Sequence, residues 1–252
     1  MNKIALITGA TAGIGEATAL ILAKNNFDVI ITGRRKNLLN DLEKQIKETT
    51  KANVVSLNFD IRKKNEVEKN IDSLPENWKK IDVLINNAGL ALGLNPIYSG
   101  NVDDWDTMID TNVKGLLYIS RKIMPIMIEQ GSGHIVNLCS IAGKEVYPNG
   151  NIYCATKHAV DAITKAMRID LNEFGIKISS ISPGMVETEF SKVRYKGDDE
   201  KAKATYAGFT PLLAEDIAES ILFAVTRPKH VNIGDMLIFP TAQANSSILN
   251  KK

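Results

Sequence analysis

Cysteine is nearly absent from this 252-residue chain, with Cys139 and Cys154 the only two. Their spacing fits no zinc motif, and without an export signal a disulfide is not expected. Neither charge predominates: 31 Lys and Arg stand against 29 Asp and Glu, a net charge of +2. That excludes a basic face able to bind nucleic acid by releasing counterions. No apolar run approaches the roughly 18 residues that read as a membrane span. The opening stretch MNKIALITG reaches glycine too early for a signal-peptide core, so the expected location is the cytoplasm. Repeats and low-complexity tracts are missing too. What is left, 44% hydrophobic and 24% charged, is the composition of a folded protein with a sizeable core.

Short β-branched runs alternate with long amphipathic stretches. The strand candidates are KIALIT (3–8), DVIIT (28–32), NVVSLN (53–58), DVLIN (82–86), HIVNL (134–138), KISSIS (177–182) and DMLIF (235–239). They are almost continuously apolar, as strands covered on both faces must be. Helical periodicity fills the gaps, notably in GEATALILAKN and in DWDTMIDTNVKGLLYISRKIMPIMIEQ. Strands regularly separated by helices predict an α/β fold. The expected form is a Rossmann-like, doubly wound parallel sheet of about seven strands with helices on both faces. Ligands then bind at the carboxyl ends of the strands. One domain over 1–252 is expected, with an irregular excursion at about 185–211, too polar and broken to be core.

LITGATAGIGEATA places Gly9, Gly13 and Gly15 between the first strand and its helix. Glycines there let the backbone approach a phosphate, and the helix start offers oriented N–H groups and a positive dipole end. The spacing is G-x3-G-x-G, and a merely tight turn is the bland alternative. In NAD-binding sheets an acid about 20 residues further on takes the ribose 2′-hydroxyl. Here the second strand ends in Thr32 and Gly33, with no carboxylate, and Arg34 and Arg35 follow. Guanidiniums beside a missing carboxylate fit a 2′-phosphate. Two solvated arginines opening a helix would instead oppose the helix dipole. The cofactor expected is therefore NADP(H).

Further motifs follow in order: NFDI with Asp60, INNAG at 85–89, DTNVKG with Asn112, VNLCSIAG with Ser140, YCATK with Tyr153 and Lys157, and SPGMVETEF with Pro183, Gly184 and Thr188. Together with T-G-x3-G-x-G, this set resembles the short-chain dehydrogenase/reductase family over almost the whole chain. NNAGLALG, DWDTMIDTN and EFSKVRYKGDDEKA are similar, more narrowly, to the NADP-dependent 3-hydroxy acid dehydrogenases, a group that includes enzymes acting on serine and allo-threonine. The resemblance implies a cofactor lying along Gly9, Thr11, Gly13, Ile14 and Gly15 of the turn and past Arg34 and Arg35. Asp60 and Ile61 would border the adenine, and Asn87, Ala88 and Gly89 would follow strand four. Pro183, Gly184, Val186 and Thr188 would reach the nicotinamide. Asn86 would lie along the cofactor or hold the sheet together. Asp60 and Thr188 each have a helix cap as the plainer alternative. The resemblance also implies a homotetramer or homodimer formed through the helices carrying Asn112 and Tyr153. The apolar run LLYISRKIMPIMI suits that role and a core role equally.

Tyr153 and Lys157 are four apart and share a helix face. A free phenol titrates near pH 10, and a nearby ammonium is expected to draw it toward neutrality. Tyr153 is then the candidate acid and base at the reacting oxygen, with Ser140 hydrogen-bonding that oxygen. By resemblance, Lys157 also binds the nicotinamide ribose, and Asn112 anchors a water linking Lys157 to solvent, with a buried structural amide as the alternative. Cys139 and Cys154 read as small packing residues, and His158 as a packed or surface histidine. Arg194, in the excursion, is the candidate partner for a substrate carboxylate, unless it pairs with Asp198 or Asp199 or contacts another subunit. No metal is called for, and the only other partner expected is a small hydroxy acid or carbonyl compound. The leading function is an NADP(H)-dependent oxidoreductase of 3-hydroxypropionate, 3-hydroxyisobutyrate, serine or allo-threonine type. A general carbonyl or ketoacyl reductase, or a non-catalytic NADP-sensing regulator, remain the alternatives. The complete Asn-Ser-Tyr-Lys set argues against the regulator, which has no use for a proton relay.

Overall fold

Parallel strands buried on both faces must expose each apolar neighbour to a different layer of helices, and the chain is built this way. The computed structural model describes residues 2–252. The strands are β1 (Lys3–Ile7), β2 (Phe27–Gly33), β3 (Val54–Asn58), β4 (Val83–Asn86), β5 (Gly133–Leu138), β6 (Ile176–Pro183) and β7 (Asp235–Ile238). All are parallel, in the order β3-β2-β1-β4-β5-β6-β7. Every strand expected from the sequence is present, displaced by at most one residue at either end.

Within β1, Ala5 and Ile7 join one buried cluster, while Ile4 and Leu6 join another. The first is completed by Leu22 of α1 (Gly13–Lys24), Leu39, Leu42 and Ile46 of α2 (Lys36–Thr49), and Ile217 and Ile221 far along the chain. The second takes Val67 and Ile71 of α3 (Lys64–Asp72), and then residues of a long helical run. That run is α4 (Val102–Ile109), a π-helical turn (Asp110–Gly115) and α5 (Leu116–Gln130), followed later by α6 (Asn151–Asp170). The sequence predicted one uninterrupted helix over 104–130. The inserted π turn is the difference, and its cause lies in Asn112, described below.

The excursion after β6 is not formless. It folds into two short helices, α7 (Phe190–Arg194) and α8 (Asp199–Thr205), before α9 (Ala214–Val225) returns to the sheet. The strand order reverses between β1 and β4. Loops diverge there, leaving a crevice beyond the strands' carboxyl ends.

Candidate active site

The crevice is bordered by Thr8, the residue that follows β1. Thr8 Oγ1 donates to the carbonyl of Ile85 at 3.2 Å and accepts from the N–H groups of Asn87 and Ala88, each at 3.0 Å. Asn87 Nδ2 returns two bonds, to the carbonyls of Thr8 (2.9 Å) and Gly9 (3.1 Å). This close joint requires glycine. Gly9 has φ +66°, and a Cβ on it would lie 2.8 Å from the Ala88 backbone. A Cβ on Gly15 would come within 2.4 Å of Asn87 Nδ2. Ala12, at the start of α1, has no side-chain oxygen to cap the helix. The first N–H groups of α1 and its positive dipole end border the cleft.

The two arginines have different surroundings. Arg35 Nη2 and Nε donate to Thr11 Oγ1 at 3.0 and 3.2 Å, and its Nη1 pairs with Glu189 Oε2 at 2.8 Å. Arg34 reaches only Asp60, at 4.0 Å, and its side chain is 54% exposed. Asp60 is already engaged by Arg62, whose Nη2 lies 2.6 Å from Oδ2 and whose backbone N–H donates to Oδ1. Burial opposes ionisation of Asp60, but Arg62 and Arg34 hold its carboxyl below the ordinary value. Asp60 thus shapes the turn before α3 without capping it, because the cap position is Lys63.

Ser140, Tyr153 and Lys157 are all buried and all line the cleft. Ser140 starts a short turn by accepting from the N–H of Ala142 at 3.1 Å. Lys157 Nζ donates to the carbonyl of Leu138 at 2.7 Å and lies 6.0 Å from the Tyr153 ring centre. Burial lowers the Lys157 pKa. Burial also raises that of Tyr153, and Tyr147 adds to the effect, against the pull of Arg194 and of a hydrogen bond with Ser140. The sequence had predicted a phenol drawn down by Lys157. In the folded chain desolvation dominates, and the opposing cation is the guanidinium of Arg194, whose Cζ lies 5.1 Å from the ring centre against 6.0 Å for Lys157 Nζ.

Asn112 sits in the π turn because its amide brackets one residue of another segment. Oδ1 accepts from the N–H of Leu90 (2.8 Å), while Nδ2 donates to the Leu90 carbonyl (2.8 Å) and to Thr156 Oγ1 (3.0 Å). Such widened turns recur at functional sites. Both donors are used structurally, which leaves one lone pair of Oδ1 beside Lys157. Each lies within 4 Å of the Cβ position of Gly89. Asn86 is not in the cleft. It is buried and donates to Ser120 Oγ (2.9 Å) and Asn137 Oδ1 (2.8 Å), binding β4 to β5 and α5.

Gly13, Ile14, Ile61, Pro183, Gly184, Val186 and Thr188 also reach the cleft, which encloses about 540 Å³. Thr188 Oγ1 accepts from the N–H of Phe190 at 3.2 Å, at the start of α7. Arg194 is inside as well. Its neighbours are aromatic: Tyr147, Tyr153 and Phe190 ring centres lie 5.5, 5.1 and 5.7 Å from its Cζ, and Nη2 donates to the Tyr147 hydroxyl. The acids that the sequence offered as its partners are taken by lysines, Asp199 by Lys192 at 2.9 Å and Asp198 by Lys201 at 2.8 Å. Arg194 Nε is buried without a hydrogen-bond partner among the described residues. Tyr147, Phe190, Glu189, Gln243 and Ser246 line the cleft too, and sequence reasoning missed them all. Both cysteines are buried and pack as expected, whereas His158 is the surface histidine of the two alternatives, its Nδ1 2.9 Å from the carbonyl of Cys154.

A parallel sheet with this glycine turn and this Ser-Tyr-Lys cluster defines a nucleotide-dependent oxidoreductase, and the sequence comparison agrees. Residues 3–199 match the short chain dehydrogenase family model, and the chain belongs to that family. It is 46% identical over 242 residues to the NADP-dependent 3-hydroxy acid dehydrogenase YdfG of Salmonella typhimurium, covering 96% of each chain. It is 42% identical over 248 residues to sulfoacetaldehyde reductase 2 of Chromohalobacter salexigens, covering 98% of each. Among solved structures, the closed form of serine dehydrogenase complexed with NADP+ superposes with a TM-score of 0.92 at 42% identity, covering 97% of this chain and 98% of that one. The chain is an NADP-dependent oxidoreductase of the dehydrogenase type acting on CH–OH groups. The donors present suit the cofactor: an uncapped helix start for a pyrophosphate and a weakly engaged Arg34 for a third phosphate. No helix among the described residues is long and apolar enough to cross a membrane.

Proposed function

We propose that the chain interconverts a small 3-hydroxy acid and its 3-oxo form, with Tyr153 as the acid and base. The observation that carries the proposal is Arg194: a half-buried guanidinium in the cleft, beside Tyr153, with no carboxylate partner among the described residues and with its Nε buried and unbonded. A buried N–H donor left unbonded is costly, and an anionic substrate group can satisfy it while pairing with the guanidinium charge. NADP(H), when bound, supplies or accepts the hydride. In reduction, Tyr153 Oη gives its proton to the carbonyl oxygen and Ser140 Oγ holds that oxygen as negative charge develops. In oxidation Tyr153 takes the hydroxyl proton. In this reading Lys157 returns protons to Tyr153 through a water that Asn112 Oδ1 anchors, while Gly9 to Gly15, Arg34, Arg35, Asn87 to Gly89 and Pro183 to Thr188 hold the cofactor. The α7–α8 segment closes the site against water.

The similarity to a sulfoacetaldehyde reductase supports a second reading, because a guanidinium accepts a sulfonate as readily as a carboxylate. A substrate panel with NADP+ separates the readings: 3-hydroxypropionate, 3-hydroxyisobutyrate, serine and allo-threonine against 2-hydroxyethanesulfonate and uncharged alcohols. Preference for uncharged alcohols would refute both. The exposed Val102, Ile109 and Leu117 along the helix that carries Asn112 support self-association through that helix, which light scattering tests.

A further inference from the structure

Arg194 faces two phenols. Its Nη2 donates to the Tyr147 hydroxyl, and its Cζ lies 5.1 Å from the ring centre of Tyr153, nearer than Lys157 Nζ at 6.0 Å. The other groups around Tyr153 offer no competing charge of comparable closeness. Cys139 and Ser140 at the end of β5 are neutral, and burial raises the Cys139 pKa further. Phe190 of α7 meets the Tyr153 ring edge-on at 5.5 Å between centres. Asp104 of α4, which borders a small cavity shared with Tyr153 and Arg194, is held by Lys196 at 2.8 Å. Tyr147 is itself buried, and burial raises its pKa against the pull of Arg194.

We infer that Arg194 is the positioning cation for the Tyr153 phenolate, and that the charge of the bound substrate, by engaging or sparing Arg194, sets the pH at which Tyr153 works. With an uncharged alcohol in the site, the guanidinium charge is available to the phenolate. With a 3-hydroxy acid, the carboxylate takes Arg194 and adds a negative charge of its own. Tyr153 then keeps its proton to higher pH. The consequence is directional: an anionic substrate leaves the site in the proton-donating form that reduction of a 3-oxo acid needs. The inference rests on the reading of Tyr153 as acid and base and of Arg194 as the anion site.

The test is single-turnover oxidation with NADP+ across pH, with 3-hydroxypropionate and with an uncharged alcohol such as 1-propanol. In the wild type the rate should rise with pH through the Tyr153 ionisation, later for the acid by about one pH unit or more, the scale of one adjacent charge. Arg194→Met should move the uncharged-alcohol profile upward by a similar amount, and Arg194→Lys should restore much of it. Coincident wild-type profiles for the two substrates, which need no variant to observe, would overturn the inference. So would an Arg194→Met profile unchanged with the uncharged alcohol. Tyr153→Phe separates the two levels: if it turns over normally, the acid-base reading fails. If it is inactive while the profiles coincide, only the role of Arg194 fails.

Discussion

Arg34→Ala should cost this protein its preference for NADP+ over NAD+. Among the described residues Arg34 makes no hydrogen bond and pairs with no acid but a carboxylate 4.0 Å away that Arg62 already engages, and its side chain is 54% exposed. Turning to meet a 2′-phosphate therefore sacrifices little. One charge-assisted hydrogen bond contributes roughly 1.5–3 kcal/mol. That corresponds to a loss of about ten- to 150-fold in NADP+ affinity. Arg35 must give up Glu189 and Thr11 to do the same, so Arg35→Ala alone should cost NADP+ less. Because it also frees Thr11 in the glycine turn, it should weaken NAD+ as well. Calorimetric titration of each variant with both cofactors at low ionic strength, where exposed charges are least screened, reads these differences. If Arg34→Ala weakened NAD+ and NADP+ by the same factor, the assignment of Arg34 to the 2′-phosphate would be wrong.

Tyr153→Phe keeps the ring against Phe190 but removes the proton, and kcat should fall at least about 10²-fold with NADPH binding intact; near-normal turnover would exclude Tyr153 as the acid. Arg194→Met should raise KM for 3-hydroxy acids about tenfold or more, the scale of one charged hydrogen bond, and leave KM for an uncharged alcohol little changed. His134 gives a stability prediction. Burial, then Lys177 and Lys3, press its pKa from 6.5 down to about 3. Its Nδ1 is buried without a partner, while Nε2 meets Ser179 Oγ at 2.7 Å. The unfolded chain therefore takes up a proton below about pH 6.5 that the folded chain refuses, so stability is lost as pH falls through this window. At about 1.4 kcal/mol per pH unit for one proton, His134 removes about 2 kcal/mol by about pH 5. Urea unfolding of the wild type and His134→Gln should show a shallower acid limb in the variant, and parallel limbs would refute the account.

The fold was legible because burial on both faces of a parallel sheet leaves a local signature. A strand such as β2, FDVIITG, has no polar face to confuse it with a surface helix, and the next helix starts within a few residues. The glycine turn was legible for the same local reason. Its neighbours Asn86 and Asn87 show where local reading stops. Asn86 is the last residue of β4, and its side chain points into the layer of α5, where Ser120 meets it. Asn87 is past the strand, and so turns to Thr8 and Gly9 instead. One residue of offset separates a sheet-binding amide from a cleft-lining one, and no motif carries that offset. The π turn was hidden likewise. The residues from Asp110 to Gly115 keep helical periodicity, and the widening comes from Leu90, 22 positions before Asn112.

The proposed anion site shows the limit most clearly. Arg194 could be picked out from the sequence because a guanidinium between Val193 and Tyr195 in a segment placed near the nicotinamide needs an explanation. What the sequence left open was its partner, a substrate carboxylate on one reading and the nearby acids Asp198 and Asp199 or another subunit on the other. Each of those acids instead meets a lysine, Lys201 and Lys192. A lysine's flexible stem can reach an exposed acid from many backbone positions, whereas a guanidinium lying among Tyr147, Tyr153 and Phe190 cannot turn outward without losing all three rings. The rings therefore decide the matter. They keep Arg194 inward and leave the surface acids to the lysines. Tyr147 is 47 positions away from Arg194, so this choice is made only when the cleft is assembled.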